Sequence, residues 1–164
     1  MARHHNISGE LTKELISQTD NVKLSKISLT NIQKVSSCKV DLYIEKTLVG
    51  KFYFLKGVEL PIGASLVYDI DKIVSGLYIK LTDGPTFTLT GSIDPAASTT
   101  VPGVNTLFLS EVSVGDEIVV SSETRTVSAI ASDTSLTISV ATTNTANDTS
   151  PDCNPTALVD VILQ

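Results

Sequence analysis

Several stretches of this chain alternate apolar and polar residues with a period of two, and that pattern restricts the fold most. Val40, Leu42 and Ile44 alternate with Asp41, Tyr43 and Glu45. From Leu24 onward, Leu24, Lys26 and Ser28 fall on one side and Ser25, Ile27 and Leu29 on the other. Successive side chains of a strand point to opposite faces, so a two-residue period marks a half-buried strand. The apolar residues are mainly Val, Ile and Leu, Thr is abundant and Trp is absent. β-Branched side chains fit a pleated surface and lose rotamer freedom in helices. The expected class is all-β.

Further strands are expected at Lys51–Leu55, Ser65–Asp69 and Gly76–Leu81, with a turn at 47–50 and a bend through Pro61-Ile62-Gly63. Five strands at this spacing suit a small sandwich or barrel. Residues 8–18 admit two readings: a short helix capped by Ser8, or an extended arm reaching a neighbouring subunit. The arm, residues 1–21, is the reading adopted. Thr82-Asp83-Gly84-Pro85 is a strong break. Beyond it, strands are expected near 86–90, 107–109, 117–121, 124–131 and 136–140, with turns at Val114-Gly115-Asp116 and Ser132-Asp133-Thr134. Residues 142–154 are polar and low in complexity, and are expected to form a loop or linker.

Charge divides at the same place. Residues 1–83 hold 11 basic and 9 acidic groups, net +2, whereas residues 84–164 hold 1 and 9, net −8. The final stretch, Ala157–Leu163, is apolar again and strand-like. The simplest topology returns it to the first module. Residues 22–84 with 156–164 then form a host domain, and the acidic, Ser/Thr-rich residues 85–155 are inserted between two of its adjacent strands.

The host segments Ile27-Ser28-Leu29-Thr30-Asn31, Val40-Asp41-Leu42-Tyr43-Ile44 and Phe52-Tyr53-Phe54-Leu55-Lys56-Gly57-Val58 resemble small β-sandwich virion proteins of tailed bacteriophages, those of large marine myophages above all. Leu60–Val67 and Gly76–Leu81 continue the likeness, and shorter relatives follow that strand soon with one like Val159-Asp160-Val161-Ile162-Leu163. The inserted stretch is similar to a small β-module of phage structural and tail proteins, through Val104-Asn105-Thr106-Leu107-Phe108, Val114–Val120, Glu123–Ile130 and Ser132–Thr137. Asn105 stands where Gly is frequent in that module. The resemblance implies a β-sandwich of immunoglobulin or jelly-roll type carrying a small β-barrel-like insert. It brings no catalytic positions.

Candidate sites each carry a plain alternative. His4 and His5 are adjacent, so an extended backbone turns them to opposite faces, and a metal would need ligands from elsewhere. No serine sits in Gly-x-Ser-x-Gly and no internal histidine is present to act as base. Asp69 with Asp71, and Asp116 with Glu117, read as acid–base or calcium pairs or as ordinary turn edges. Phe52, Tyr53 and Phe54 read as a sugar platform or, by alternation, as two core rings flanking an exposed Tyr53. Lys23, Lys26, Lys34 and Lys39 read as an anion-binding cluster or as solvated strand faces. Asn147-Asp148-Thr149 matches a glycosylation sequon but follows no secretory signal. Cys38 and Cys153 are expected as buried free thiols, a disulfide between them being the alternative.

The acidic balance argues against nucleic-acid binding. No apolar run approaches the roughly 20 residues of a membrane span. With no catalytic constellation among the residues and none brought by the resemblance, the expected protein is non-enzymatic, without metal or cofactor. The resemblance implies that it is made in a host cytoplasm and resides in the virion as a capsid-decoration, neck or collar, or tail accessory component. Its expected partners are other capsid, neck or tail proteins and further copies of itself in a homo-oligomer or lattice. The alternative is a receptor- or glycan-binding module, with loops 91–103 and 141–155 as its contact surface.

Overall fold

The computed structural model describes residues 2–164. The chain is nearly all β and divides into two compact units, one of residues 1–84 and 157–164 and one of residues 85–156. By those bounds the first unit carries 11 basic and 10 acidic residues, net +1, and the second 1 and 8, net −7.

The first unit is a β-sandwich. Its strands are β1 (Arg3–Ser8), β2 (Thr12–Ile16), β3 (Val22–Asn31), β4 (Cys38–Lys46), β5 (Gly50–Leu60), β6 (Ser65–Val74) and β7 (Leu77–Thr82), with one from the far end of the chain. One sheet runs β2-β7-β4-β5. In the other, the C-terminal strand Leu158–Leu163 lies between β1 and β3, and β6 follows β3. Both sheets are antiparallel. Ile27, Leu29, Val159 and Val161 of one sheet and Val40, Leu42, Ile79 and Leu81 of the other close a shared core, each at most 1% exposed. Removing such side chains from water is the main stabilising term, about 25 cal/mol per Å².

Two expectations are corrected here. Residues 1–21 are no arm: β1 and β2 are edge strands of their own chain's two sheets, joined through Gly9. A capped helix is excluded by the same ladders. Ile7, Leu15 and Ile16 are buried, and that burial holds the segment against the core. Second, the insertion does not separate adjacent strands, because β7 and the C-terminal strand belong to different sheets. The insertion occupies a crossover. Its host ends are nonetheless held side by side, Ala157 N–H donating to Asp83 Oδ1 at 2.6 Å. Gly84 is required there by close approach: a Cβ would lie 1.8 Å from Ser36 Oγ.

The alternation expected from Leu24 also slips. Leu24, Ile27 and Leu29 are all buried, which a strict two-residue period forbids. The N–H groups of Ser25 and Lys26 both donate to the Gln164 carbonyl, at 2.7 and 3.1 Å, so two residues oppose one and the strand turns over.

The second unit contains β8 (Phe87–Thr88), β9 (Ser92–Ile93), β10 (Thr100–Val104), a single helical turn α1 (Phe108–Glu111), β11 (Glu117–Val120), β12 (Glu123–Ser132), β13 (Ser135–Ile138) and β14 (Asp152–Asn154). The C-terminal strand Leu158–Leu163 is β15. One antiparallel sheet runs β8-β14-β11-β12-β13-β10-β9 around Ile93, Val101, Phe108, Ile118, Val120, Leu136 and Cys153. Its β9 end meets the approach to β14 through a lone bridge, Ile93 to Asp148. The sheet curls, but no closed barrel forms, since closure needs a continuous ladder and β8 and β9 are two residues each.

The expected linker at 142–154 is corrected as well. Its end is β14, paired on both sides with β8 and β11, and Thr142, Pro151 and Cys153 are buried. Composition conceals this because the buried positions are few and separated by polar residues.

Cys38 and Cys153 are free and buried, one in each core. Burial, aided by Asp83 and Asp116 respectively, pushes the thiols up to about 11 and about 12. Thiolate is the reactive form. We expect no reaction of native protein with a thiol-disulfide reagent near pH 8, and two equivalents after unfolding; fast native labelling would contradict the packing.

Candidate functional site

The first unit carries a tyrosine ladder on the outward face of its β2-β7-β4-β5 sheet. Tyr43 lies across from Tyr78 on β7 and Tyr53 on β5. Ring centroids are 5.7 Å apart for Tyr43 and Tyr78, which stack, and 5.3 Å for Tyr43 and Tyr53, which tilt. Such pairs add about 0.5–1.5 kcal/mol beyond area burial. Tyr43 is only 2% exposed although it lies outside the sandwich core. Lys51 Nζ covers its ring at 4.5 Å and Lys56 Nζ covers that of Tyr53 at 4.9 Å. Tyr78 donates to Glu14 Oε1 at 2.8 Å, joining β7 to the edge strand β2.

The expected pattern at Phe52, Tyr53 and Phe54 holds only for the last two. Tyr53 is 42% exposed, and Phe54 packs against Tyr68 with centroids 5.8 Å apart. Phe52 is 51% exposed instead of buried. Register shifts on β5 insert extra residues, one where Gly57 (φ 60°) donates its N–H to Asp41 Oδ1 at 2.6 Å. With Leu48 and Val49, Phe52 makes the β4–β5 hairpin end apolar and solvated. For sugar stacking the ladder is poorly arranged, because the protein's own lysines occupy the ring faces.

The remaining sequence candidates disperse. His4 is exposed and His5 half-buried on alternate faces of β1, and among the described residues no group of three His, Cys, Asp or Glu side chains is placed to hold a metal. Asp69 and Asp71 are parted by a bulge in which Asp71 has φ 38°, and Asp71 forms an exposed ion pair with Lys23 at 3.6 Å. Pairs of that kind contribute little. Lys23 and Lys26 lie on β3, Lys39 on β4 of the other sheet and Lys34 in a loop, so the four form no single patch. Asp116 and Glu117 part company: Glu117 is exposed, while Asp116 is fully buried. Asp116 Oδ2 accepts the Ser113 N–H at 2.7 Å and Oδ1 the Thr156 N–H at 2.9 Å.

The second unit holds a cleft of about 420 Å³ lined by Ser121, Ser122, Asn147, Asp148, Thr149 and Asp152 among others. Its floor is the β11–β12 turn, where Ser121 and Ser122 both take positive φ, 50° and 68°. A two-residue hairpin turn of this hand matches the strand twist, and it usually holds Asn or Gly. Here carboxylates fix it. Asp148 accepts the Ser121 N–H at 2.6 Å and the Ser150 N–H at 2.9 Å. Glu123 accepts the N–H groups of Asn144 and Thr143 at 2.6 and 2.9 Å and the Thr143 hydroxyl at 2.8 Å, and also pairs with Arg125. Sequence reasoning missed both roles, because the partners are loop amides that any residue supplies.

These bonds, that from Asn144 N–H first and the Thr143 hydroxyl next, hold the Glu123 carboxyl below the ordinary carboxylate range. A depressed folded value means the contribution is complete above the ordinary range and lost as pH falls through the folded one. We expect the Thr143 and Asn144 amides to stay protected from hydrogen exchange as pH falls through the ordinary carboxylate range and to lose protection only below it. In Glu123→Gln that protection should already be reduced at neutral pH and vary little with acid. An identical pH response in the variant would remove Glu123 from the account.

Comparison with protein families and with curated proteins gives no match to this chain.

Proposed function

We propose that this chain is a non-enzymatic structural component of a tailed-phage virion, at the capsid surface, neck or tail, acting through protein–protein contacts. The observation that carries the reading is the construction from two β units of different charge. A nearly neutral sandwich, net +1, with free sheet edges and an apolar hairpin end, suits packing against protein. A net −7 unit suits a solvated position, since like charge limits non-specific association. The resemblance of the host and inserted segments to phage virion proteins supports the same role. Electron microscopy of purified particles, with this chain localised by its density, tests it; particles that lack the chain refute it.

A second reading, recognition of a receptor or glycan by the inserted unit, is favoured by the cleft. Its carboxylate-fixed floor is preorganised, and Ser122, Asn147 and Thr149 line it with polar groups suited to sugar hydroxyls. Binding of the full chain to a glycan array, abolished by Asn147→Ala, would support it. Silence across neutral and charged glycans would leave the structural role alone.

A further inference from the structure

We infer that the free edge of β1 is a homodimerisation site, where two copies pair β1 with β1 antiparallel and join their sheets into one. The inference rests on the assembly role proposed above and names its first contact. The sandwich has four edges: β1 and β6 in one sheet, β2 and β5 in the other. An open edge invites another strand, and bulges and charged side chains are the usual means of blunting it.

Three of the four edges are blunted in this way. Between Glu14 and Ile16 of β2, two steps oppose one on β7, so the bulge is on β2. Between Leu24 and Lys26, two steps on β3 oppose three on β6, placing the bulge at Ile70-Asp71. On β5 three steps oppose two of β4, and then two oppose one. Each irregularity lies on the edge strand itself. In contrast, β1 pairs with β15 from Arg3–Leu163 to Ser8–Leu158 without a register shift.

The hydrogen-bond phase shows which groups are free. Just past the strand, Gly9 N–H donates to Ala157 O at 2.8 Å, while Ile32 N–H donates to Leu158 O at 3.0 Å. Ala157, Val159, Val161 and Leu163 therefore face β1, and Gly9, Ile7, His5 and Arg3 bond to them. The backbone groups of His4, Asn6 and Ser8 point outward along the edge. A cleft of about 320 Å³ beside them is lined by His4, Asn6, Asp160 and Ile162.

Self-pairing suits the side chains of β1. Arg3 is the strand's one fixed charge and stands at its first position. Antiparallel pairing about a two-fold axis at His5 or Asn6 sets Arg3 opposite Ile7 or Gly9 of the second copy, away from the second Arg3. Both axes keep the core-facing sides of the two sheets together. His5 is held below the usual histidine range by burial, then by Lys13, Arg3 and His4, so it is neutral at pH 7 and brings no charge to the axis.

The test needs no ligand: sedimentation velocity on the purified full chain, from micromolar to submillimolar concentration, should show a reversible monomer–dimer equilibrium. His4→Pro removes an outward amide and crowds the edge while leaving the β15 bonds of His5 and Ile7 intact. It should weaken the dimer at least about tenfold, whereas His4→Ala should leave it unchanged. If the proline variant fails to fold, cross-linking decides: His5→Cys or Asn6→Cys should give a disulfide-linked dimer, and Thr12→Cys on β2 should not. A chain that stays monomeric, a dimer indifferent to His4→Pro, or no cross-link from either β1 cysteine overturns the inference. None of these outcomes depends on particles, so failure here is distinct from absence of the chain from the virion.

Discussion

A chain ended after Thr156 should lose the cooperative unfolding of its first unit altogether. The deletion removes β15, which is central in its sheet and pairs with β1 on one side and β3 on the other. Val159, Val161 and Leu163, each at most 1% exposed, leave the core together. Loss of one such side chain typically costs about 1–4 kcal/mol, and a whole domain is stable by only about 5–15 kcal/mol. β1 would also be stranded without a partner. Thermal melts followed by circular dichroism, with the isolated residues 85–156 as reference, should show that only the second unit still melts. An unaltered transition of the first unit would mean that the sandwich closes without its last strand.

Replacing Asp116 should have the matching effect on the second unit. The carboxylate is fully buried and accepts two backbone N–H groups, from Ser113 before the β11 turn and from Thr156 at the unit's end. In Asp116→Ala both half-buried N–H groups lose this carboxylate as acceptor. Each such loss costs about 1–3 kcal/mol, so about 3–5 kcal/mol is expected in total. For a unit of this size that corresponds to a fall in Tm of roughly 15–30 °C. Asp116→Asn keeps one acceptor oxygen and should fall between wild type and Asp116→Ala. The melt of the first unit should not move, because its core shares no residue with that of the second. A fall in Tm below about 5 °C for Asp116→Ala would refute the anchoring role.

Both effects trace to residues whose importance differs sharply in visibility. The apolar period of Leu158–Leu163 is plain in the sequence, and so is its likeness to the host strands. Asp116, in contrast, sits in Val114-Gly115-Asp116, which reads as an ordinary exposed turn; one of its backbone donors, Thr156, lies forty residues away. Glu123 and Asp148 are hidden for the same reason. Their partners are backbone amides of residues 121, 143, 144 and 150, which no side-chain pattern announces.

The bulges divide the same way. A strict two-residue period would bury Phe52 and expose Leu24, and the structure does the reverse at both. A bulge shifts every later side chain by one face, yet it is chosen by the neighbouring strand rather than by the strand's own residues. Asp41 holding Gly57 and Gln164 accepting from Ser25 and Lys26 are such choices.

By itself, then, the sequence determined what is local and periodic: the all-β class, most strands, the break at Gly84 and the uneven charge. Alternation and turn chemistry act over a few residues, so a single chain displays them. Only the tertiary structure decided that residues 3–16 are edge strands, that the polar stretch before Pro155 ends in a paired strand, and which sheet edge stays unblunted. Each of those depends on contacts between residues far apart in the chain, and register across a ladder is a property of two strands at once.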